Sequence, residues 1–374
     1  MRWSSSPVRQ LGIAALAFVV VAACGGTSGG TASCPAKTAA SAADCGGIDG
    51  LYAAAKAEGQ LNVIALPPDW ANYGAIIDAF KAKYPGIKIF SANPNGSSQE
   101  EVDAIKQLAG TSSAPDVVDV GMKVMLANVA LFAPYKVATW NDILPAQKES
   151  TGVWFQDYGG FMGIGYDSTK VPGGTINSFS DLLGSNFKSK VALSGDPTKS
   201  NQGLNGVIMA SVANGGTVDD VSKGVDWFHQ LKVAGNYVPV IGTAATVKAG
   251  QTPVLFEWDY LSTSHGKDVS TWKIFVPANA TIGGYYAQGI NKAAPHPAAA
   301  RLWEEFIYSD AGQNLYLKGG ARPVRQAAME KTGKIDATAA AALPKVTGTP
   351  VFPTTDQQTA AGTYVAANWS KAIG

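Results

Sequence analysis

Cysteine is scarce in this chain: there are three in 374 residues, and all of them, Cys24, Cys34 and Cys45, precede residue 46. Everything after that point lacks a thiol to act as nucleophile or metal ligand. Histidine is equally rare. His229, His265 and His296 stand singly, with no H-E-x-x-H spacing, and beyond the small-residue stretch 24–46 neither a G-x-S-x-G elbow nor a P-loop occurs. No catalytic residue, resident metal or cofactor is expected, and any energy source must come from a partner. Charged residues make up only 15% of the chain. No Lys/Arg run appears, which excludes a nucleic-acid partner of the usual kind. Past the N-terminal segment no stretch is apolar for long enough to cross a bilayer, and no internal repeat is present.

The N-terminus has a location signal. Arg2 and Arg9 precede an uncharged run from Leu11 to Ala23, followed by Cys24-Gly25-Gly26. A basic start, a short apolar core and small residues before a cleavage point describe a secretory signal, residues 1–23. Val21-Ala22-Ala23-Cys24 resembles a bacterial lipobox, with Val21 where Leu is usual, and the resemblance implies lipid attachment at Cys24. The Gly/Ser/Thr/Ala stretch 24–46 reads as a flexible tether. Within it, Cys34 and Cys45 can pair in an oxidising compartment. Without Arg2 and Arg9 the chain carries 27 basic and 28 acidic residues.

About 325 residues remain, enough for two domains. Strand and helix patterns alternate. A short helix near Leu51–Ala57 precedes a strand at Leu61–Leu66, and Tyr73, Ile76, Ile77, Phe80 and Tyr84 form one helical face stopped by Pro85-Gly86. Asp116–Val120 is a third strand. This alternation predicts an α/β fold with a largely parallel sheet. Two aromatic and glycine-rich segments, Trp154–Tyr166 and Ile282–Ile290, read as crossover strands between two lobes joined by a hinge. The expected boundaries are 47–157 with 288–374 for the first lobe and 158–287 for the second. Gly195-Asp196-Pro197 after the strand Lys190–Leu193 leads into a helix N-terminus. That is a ligand-contact point or a plain capped turn.

The stretch Gln251–Tyr260 changes character in its middle. An apolar strand, Pro253–Phe256, runs into Glu257-Trp258-Asp259-Tyr260. Ligands of open α/β sheets bind beyond strand carboxyl ends. Two acids and two rings there suit a cation held between carboxylates and ring faces. The same residues could be a solvated loop with a packed tryptophan, or the paired carboxylates of a glycosidase-like cleft.

Several stretches in order, Leu51–Gly59, Ala114-Pro115-Asp116-Val117-Val118, Gly195-Asp196-Pro197 and Ala299–Ile307, together with the tether and two crossovers, resemble the bacterial extracellular solute-binding proteins of ATP-driven (ABC) importers. The resemblance spans residues 50 to about 325. It implies the two-lobed type 2 periplasmic-binding-protein fold, hinge closure on a small-molecule solute, permease and ATPase partners, a monomer, and lipid anchoring on the outer face of the membrane. Polyamine-binding and ferric-iron-binding branches are the most similar. Trp70-Ala71-Asn72-Tyr73 matches the polyamine Trp-x-x-Tyr segment, with Asn72 where an acid is common. The expected ligand contacts are Trp70, Asn72, Tyr73, Asp119, Asp196, Glu257, Trp258, Asp259, Tyr260, Tyr285 and Tyr286. The first expectation is a cationic amine such as putrescine or spermidine. Ferric iron needs a rearranged set around Tyr260, Tyr285 and Tyr286, and sugars, aminophosphonates and thiamine are bound by relatives of the same architecture. A surface sensor without transport shares every feature.

Overall fold

The computed structural model describes residues 34–374. The signal segment 1–23, Cys24 and the first part of the tether lie outside the described residues. Ten strands are present among the described residues: β1 (Gln60–Ile64), β2 (Lys88–Ala92), β3 (Val117–Gly121), β4 (Phe132–Ala133), β5 (Phe155–Asp167), β6 (Val191–Leu193), β7 (Val254–Trp258), β8 (Trp272–Phe275), β9 (Gly283–Asn291) and β10 (Arg322–Pro323).

Two strands tie the molecule together. The first part of β5, Phe155–Phe161, pairs with β9, and the second part, Met162–Tyr166, pairs with β7. β9 in turn pairs with β3 from Tyr286 to Ile290. β5 therefore passes from one lobe into the other, and β9 leads back. The pairings correct one expectation. Only β1–β2 and β6–β7 are parallel among the described ladders, whereas both crossovers run antiparallel to their neighbours. Alternation of strand and helix holds within each lobe, but a chain that leaves a lobe and returns must lay its two crossing strands in opposite directions.

The helix Tyr73–Lys83 buries Tyr73, Ile76 and Phe80, and ends where Gly86 adopts a φ of 98°. Phe80 packs against Trp303 and Phe306 of the helix Pro297–Ile307 at 5.3 and 5.5 Å between ring centres. In the other lobe the helix Asn201–Ala213 is buried along most of its length, and Ser200 caps it by accepting from the Gly203 N–H.

Two segments depart from expectation. Residues 34–46 are folded onto the body. Cys34 and Cys45 are disulfide-bonded, and the buried Arg301 donates to the carbonyls of Ala39 and Lys37 at 2.9 and 3.2 Å. Small-residue composition suggests a free tether, but a cross-link and a buried guanidinium supply the order that side-chain packing does not. The C-terminal helix Thr355–Ile373, grouped by sequence with the first lobe, is fastened to the second. Trp369 packs on Phe228 at 5.3 Å, His229 donates to the Ala372 carbonyl at 2.8 Å, and Gln357 donates to Asp219 at 2.9 Å. No described helix is long and apolar enough to cross a membrane.

Candidate functional site

Where the lobes meet, rings from four places converge. Trp70 comes from the loop after β1, Tyr158 from β5, Tyr286 from β9 and Tyr260 from the first turn of the helix Asp259–His265 that follows β7. Trp70 meets Tyr260 and Tyr286 edge-on at 6.0 and 5.7 Å, and Tyr158 stacks on Tyr286 at 5.8 Å with 7° between planes. Trp258 lies parallel to Tyr260 at 6.4 Å. Glycine makes this approach possible. A β-carbon on Gly284 would come within 2.6 Å of the Trp258 ring.

Beneath the rings is an acidic centre. Trp70 Nε1 donates to the Tyr158 hydroxyl at 2.6 Å, and that hydroxyl donates to Asp119 Oδ2 at 2.8 Å. Tyr73 donates to the same oxygen at 2.8 Å. Gln288 Nε2 donates to Asp157 Oδ2 at 2.8 Å and reaches the Tyr73 hydroxyl at 3.1 Å. The Tyr316 hydroxyl stands between Tyr73 and Asp157, at 3.1 and 3.2 Å. Glu101 accepts the Asp119 N–H at 3.0 Å, and Glu304 is buried with both carboxylate oxygens unpartnered among the described residues. None of these four carboxylates has a salt bridge among the described residues.

Burial, with the charge of Asp157 added, holds the Asp119 carboxyl well above the usual range. Burial likewise pushes Asp157 up to about 7, against hydrogen bonds from Gln288 and Tyr158 that lower it. Glu101 and Glu304 are raised for the same reason. Desolvation disfavours the charged forms, so these carboxyls are favoured protonated and neutral when no cation is beside them. Besides the two Glu304 oxygens, three buried polar atoms here have no hydrogen-bond partner among the described residues: Asp119 Oδ1 from one lobe, and Trp258 Nε1 and the Tyr260 hydroxyl from the other.

The remaining sequence candidates lie elsewhere or are already engaged. Asp259 is fully buried, but its carboxylate is held by the Phe161 N–H at 3.0 Å and by Arg322. Burial raises its pKa while Arg322 opposes the rise. Glu257 sits on the opposite face of β7 from Trp258 and bonds His265 Nε2 at 3.0 Å. Burial lowers the His265 pKa, and the charge and bond of Glu257 more than reverse this. Asn72 donates to the Leu315 carbonyl at 2.8 Å. Asp196 caps its own turn through Thr198. Tyr285 faces away from Tyr286, towards Phe352. Sequence reasoning missed Asp157, Tyr158, Tyr316 and Gln288. Tyr158 and Gln288 lie inside the aromatic crossovers, so strand alternation was the available signal.

Beside the rings, on the Tyr285 side of the crossover, lies a cavity of about 780 Å³ bordered by Trp154, Asn201, Gly284, Tyr285, Phe352 and Gln358 among others. Gly284 and Asn201 border this cavity and also touch the ring cluster, since Trp258 packs behind Gly284 and Asn201 neighbours Tyr286. No group of three or more His, Cys, Asp or Glu side chains is placed to hold a metal among the described residues.

The sequence pattern of the family described as "Bacterial extracellular solute-binding protein" matches residues 111–342. The chain belongs to this family. Its fold is the two-lobed α/β fold of periplasmic binding proteins, as structural neighbours show. Iron-bound HitA from Pseudomonas aeruginosa aligns with a TM-score of 0.59 and 20% identity, over 84% of this chain and 99% of its own. AgtB from A. tumefaciens R10, in complex with agropinic acid, aligns with a TM-score of 0.65 and 14% identity, over 84% and 98%. A protein from Listeria monocytogenes described as a candidate spermidine/putrescine ABC transporter aligns with a TM-score of 0.60 and 12% identity, over 83% and 99%. No curated protein has a matching sequence. Membership of an extracellular family carries an extracytoplasmic location.

Proposed function

We propose that this family member is the substrate-binding component of an ABC importer and captures a small cationic solute, an amine, between its lobes. The observation that carries this is the acidic centre of Asp119, Asp157, Glu101 and Glu304, buried under tyrosine and tryptophan rings without a counter-cation among the described residues. An ammonium there gains a carboxylate partner and ring faces at once. The lobes are 47–157 with 288–342, and 158–287 with the C-terminal helix. Trp70 and Asp119 belong to one, Trp258 and Tyr260 to the other, so a solute touching all four is fully held only when the hinge is closed. The solute leaves unchanged, permease and ATPase subunits supply transport, the protein acts as a monomer, and lipid at Cys24 tethers it.

A ferric-iron reading is favoured by one observation: Tyr158, Tyr260 and Tyr286 converge beside Asp119, and hard oxygen donors suit that ion. Against it, burial first and then the neighbouring carboxylates and phenols raise the Tyr158 and Tyr260 hydroxyls well above their usual range, which opposes phenolate formation.

Tryptophan fluorescence separates the two. Titrating the purified protein with putrescine, spermidine, ferric citrate and a neutral sugar should give a saturable, micromolar-range response to an amine, reported by Trp70 and Trp258. A response to ferric citrate alone, with visible phenolate absorption, would replace the amine reading.

A further inference from the structure

The segment 343–374 lies past the end of the family match. Its backbone adds to the returning crossover: the Gly283 N–H donates to the Val351 carbonyl at 2.9 Å, and the Val351 N–H donates to the Thr281 carbonyl at 2.8 Å. Beyond that junction, the helix Thr355–Ile373 is fastened to the second lobe as described above and also packs on the helix Met122–Ala127 of the first. Between these anchors the segment forms one wall of the 780 Å³ cavity.

Two of its side chains are placed to read a solute. Phe352 lies over the bare backbone of Gly283, 6.0 Å from the rings of both Phe161 and Tyr285. Gln358 is 7% exposed, donates through Nε2 to the Pro353 carbonyl at 3.1 Å, and leaves its Oε1 buried without a partner among the described residues. Trp154 borders the same space, and no Lys or Arg does among the described residues. Aromatic walls with an unsatisfied amide acceptor suit a flat apolar body that carries a hydrogen-bond donor.

We propose that this C-terminal strap is part of the solute site, and that Phe352 and Gln358 are specificity-determining residues selecting an amine with a ring and a donor group over a bare alkyl diamine. The amine half rests on the cationic reading above. The ring half rests on the strap alone. The ammonium lies against the acidic centre, and the ring extends past Gly284 and Asn201 into the strap-walled cavity.

The test compares tyramine, putrescine and 4-methylphenol on the unaltered protein, Phe352→Ala and Gln358→Leu by calorimetry. Thermal melts check that each variant is folded, and Phe352 is half exposed, so its loss should spare the fold. Tyramine should bind about tenfold tighter than putrescine. Phe352→Ala should remove most of that advantage while changing putrescine by less than about twofold, and Gln358→Leu should weaken tyramine alone. Equal binding of the two amines, or tyramine affinity unchanged in both variants, overturns the proposal. If neither amine binds but 4-methylphenol binds in a Phe352-dependent way, the cationic reading fails and the strap stands. If no probe depends on Phe352, the strap is not part of the site.

Discussion

Replacing Asp119 by Asn should weaken amine binding and strengthen the ligand-free protein at the same time. Asp119 is 6% exposed, accepts from Tyr73 and Tyr158 through one oxygen and leaves the other unpartnered. With its charge gone, an ammonium loses a charge-assisted bond in a desolvated place, about 2–4 kcal/mol or roughly 30- to 1,000-fold in Kd. The ligand-free protein should gain about 1 kcal/mol at pH 8, because burying a carboxyl that is ionised in the unfolded chain costs stability and Asn carries no such cost. The sign of the pH dependence follows from the raised carboxyl. A group whose folded-state pKa lies above its unfolded value stabilises the fold fully below the unfolded value, and that contribution is lost as the pH rises through the folded one. Asn never ionises, so the stability gap between the two proteins should widen from pH 5 to pH 8. Denaturant melts at both pH values with calorimetric titration check both halves, and a variant that loses stability and keeps affinity contradicts the placement of Asp119.

The second large effect is on the fold. Asp259→Ala should destabilise the protein by about 3–5 kcal/mol, because Arg322, whose side chain is only 12% exposed, would lose its carboxylate. The same guanidinium lies 4.7 Å from the Phe161 ring centre and donates to the Pro344 carbonyl at 3.0 Å, so it stays in place as an unpaired charge. The double variant Asp259→Ala, Arg322→Met should recover most of the loss, because no orphaned charge remains. Chemical denaturation of the two variants measures this. Equal destabilisation in both would show that packing around Asp259 matters rather than its charge.

Asp259 and Glu257 show how far the sequence can be read. Both stand beside rings at the end of an apolar strand, and both suggest a cation site. The strand alternation of β7 turns Glu257 to the face opposite Trp258, where His265 holds it, and Arg322, sixty-three residues further on, occupies Asp259. Period-two alternation is visible in sequence, but a long-range ion partner is not. The ring residues fare differently, because Trp70, Tyr73, Trp258 and Tyr260 sit at strand ends and helix starts, which local patterns locate. Asp157 and Tyr316 acquire their meaning only when β5 and the helix Asp310–Lys318 are brought together by the fold. The tail helix is illegible for a related reason: its Ala-rich sequence has only a few large apolar side chains, and their partners, such as Phe228, lie far back in the chain.

If a cation neutralises the buried carboxylates, its binding must depend on pH. Spermidine titrated calorimetrically from pH 5.5 to pH 8 should bind more tightly as the pH rises. Burial holds the Asp119 and Asp157 carboxyls above the usual range, and a carboxyl must give up its proton to pair with the ammonium, so the affinity should rise with pH by up to about tenfold per unit for each proton released on binding. Affinity that is flat with pH, with no proton release, would contradict capture of a cation by this centre.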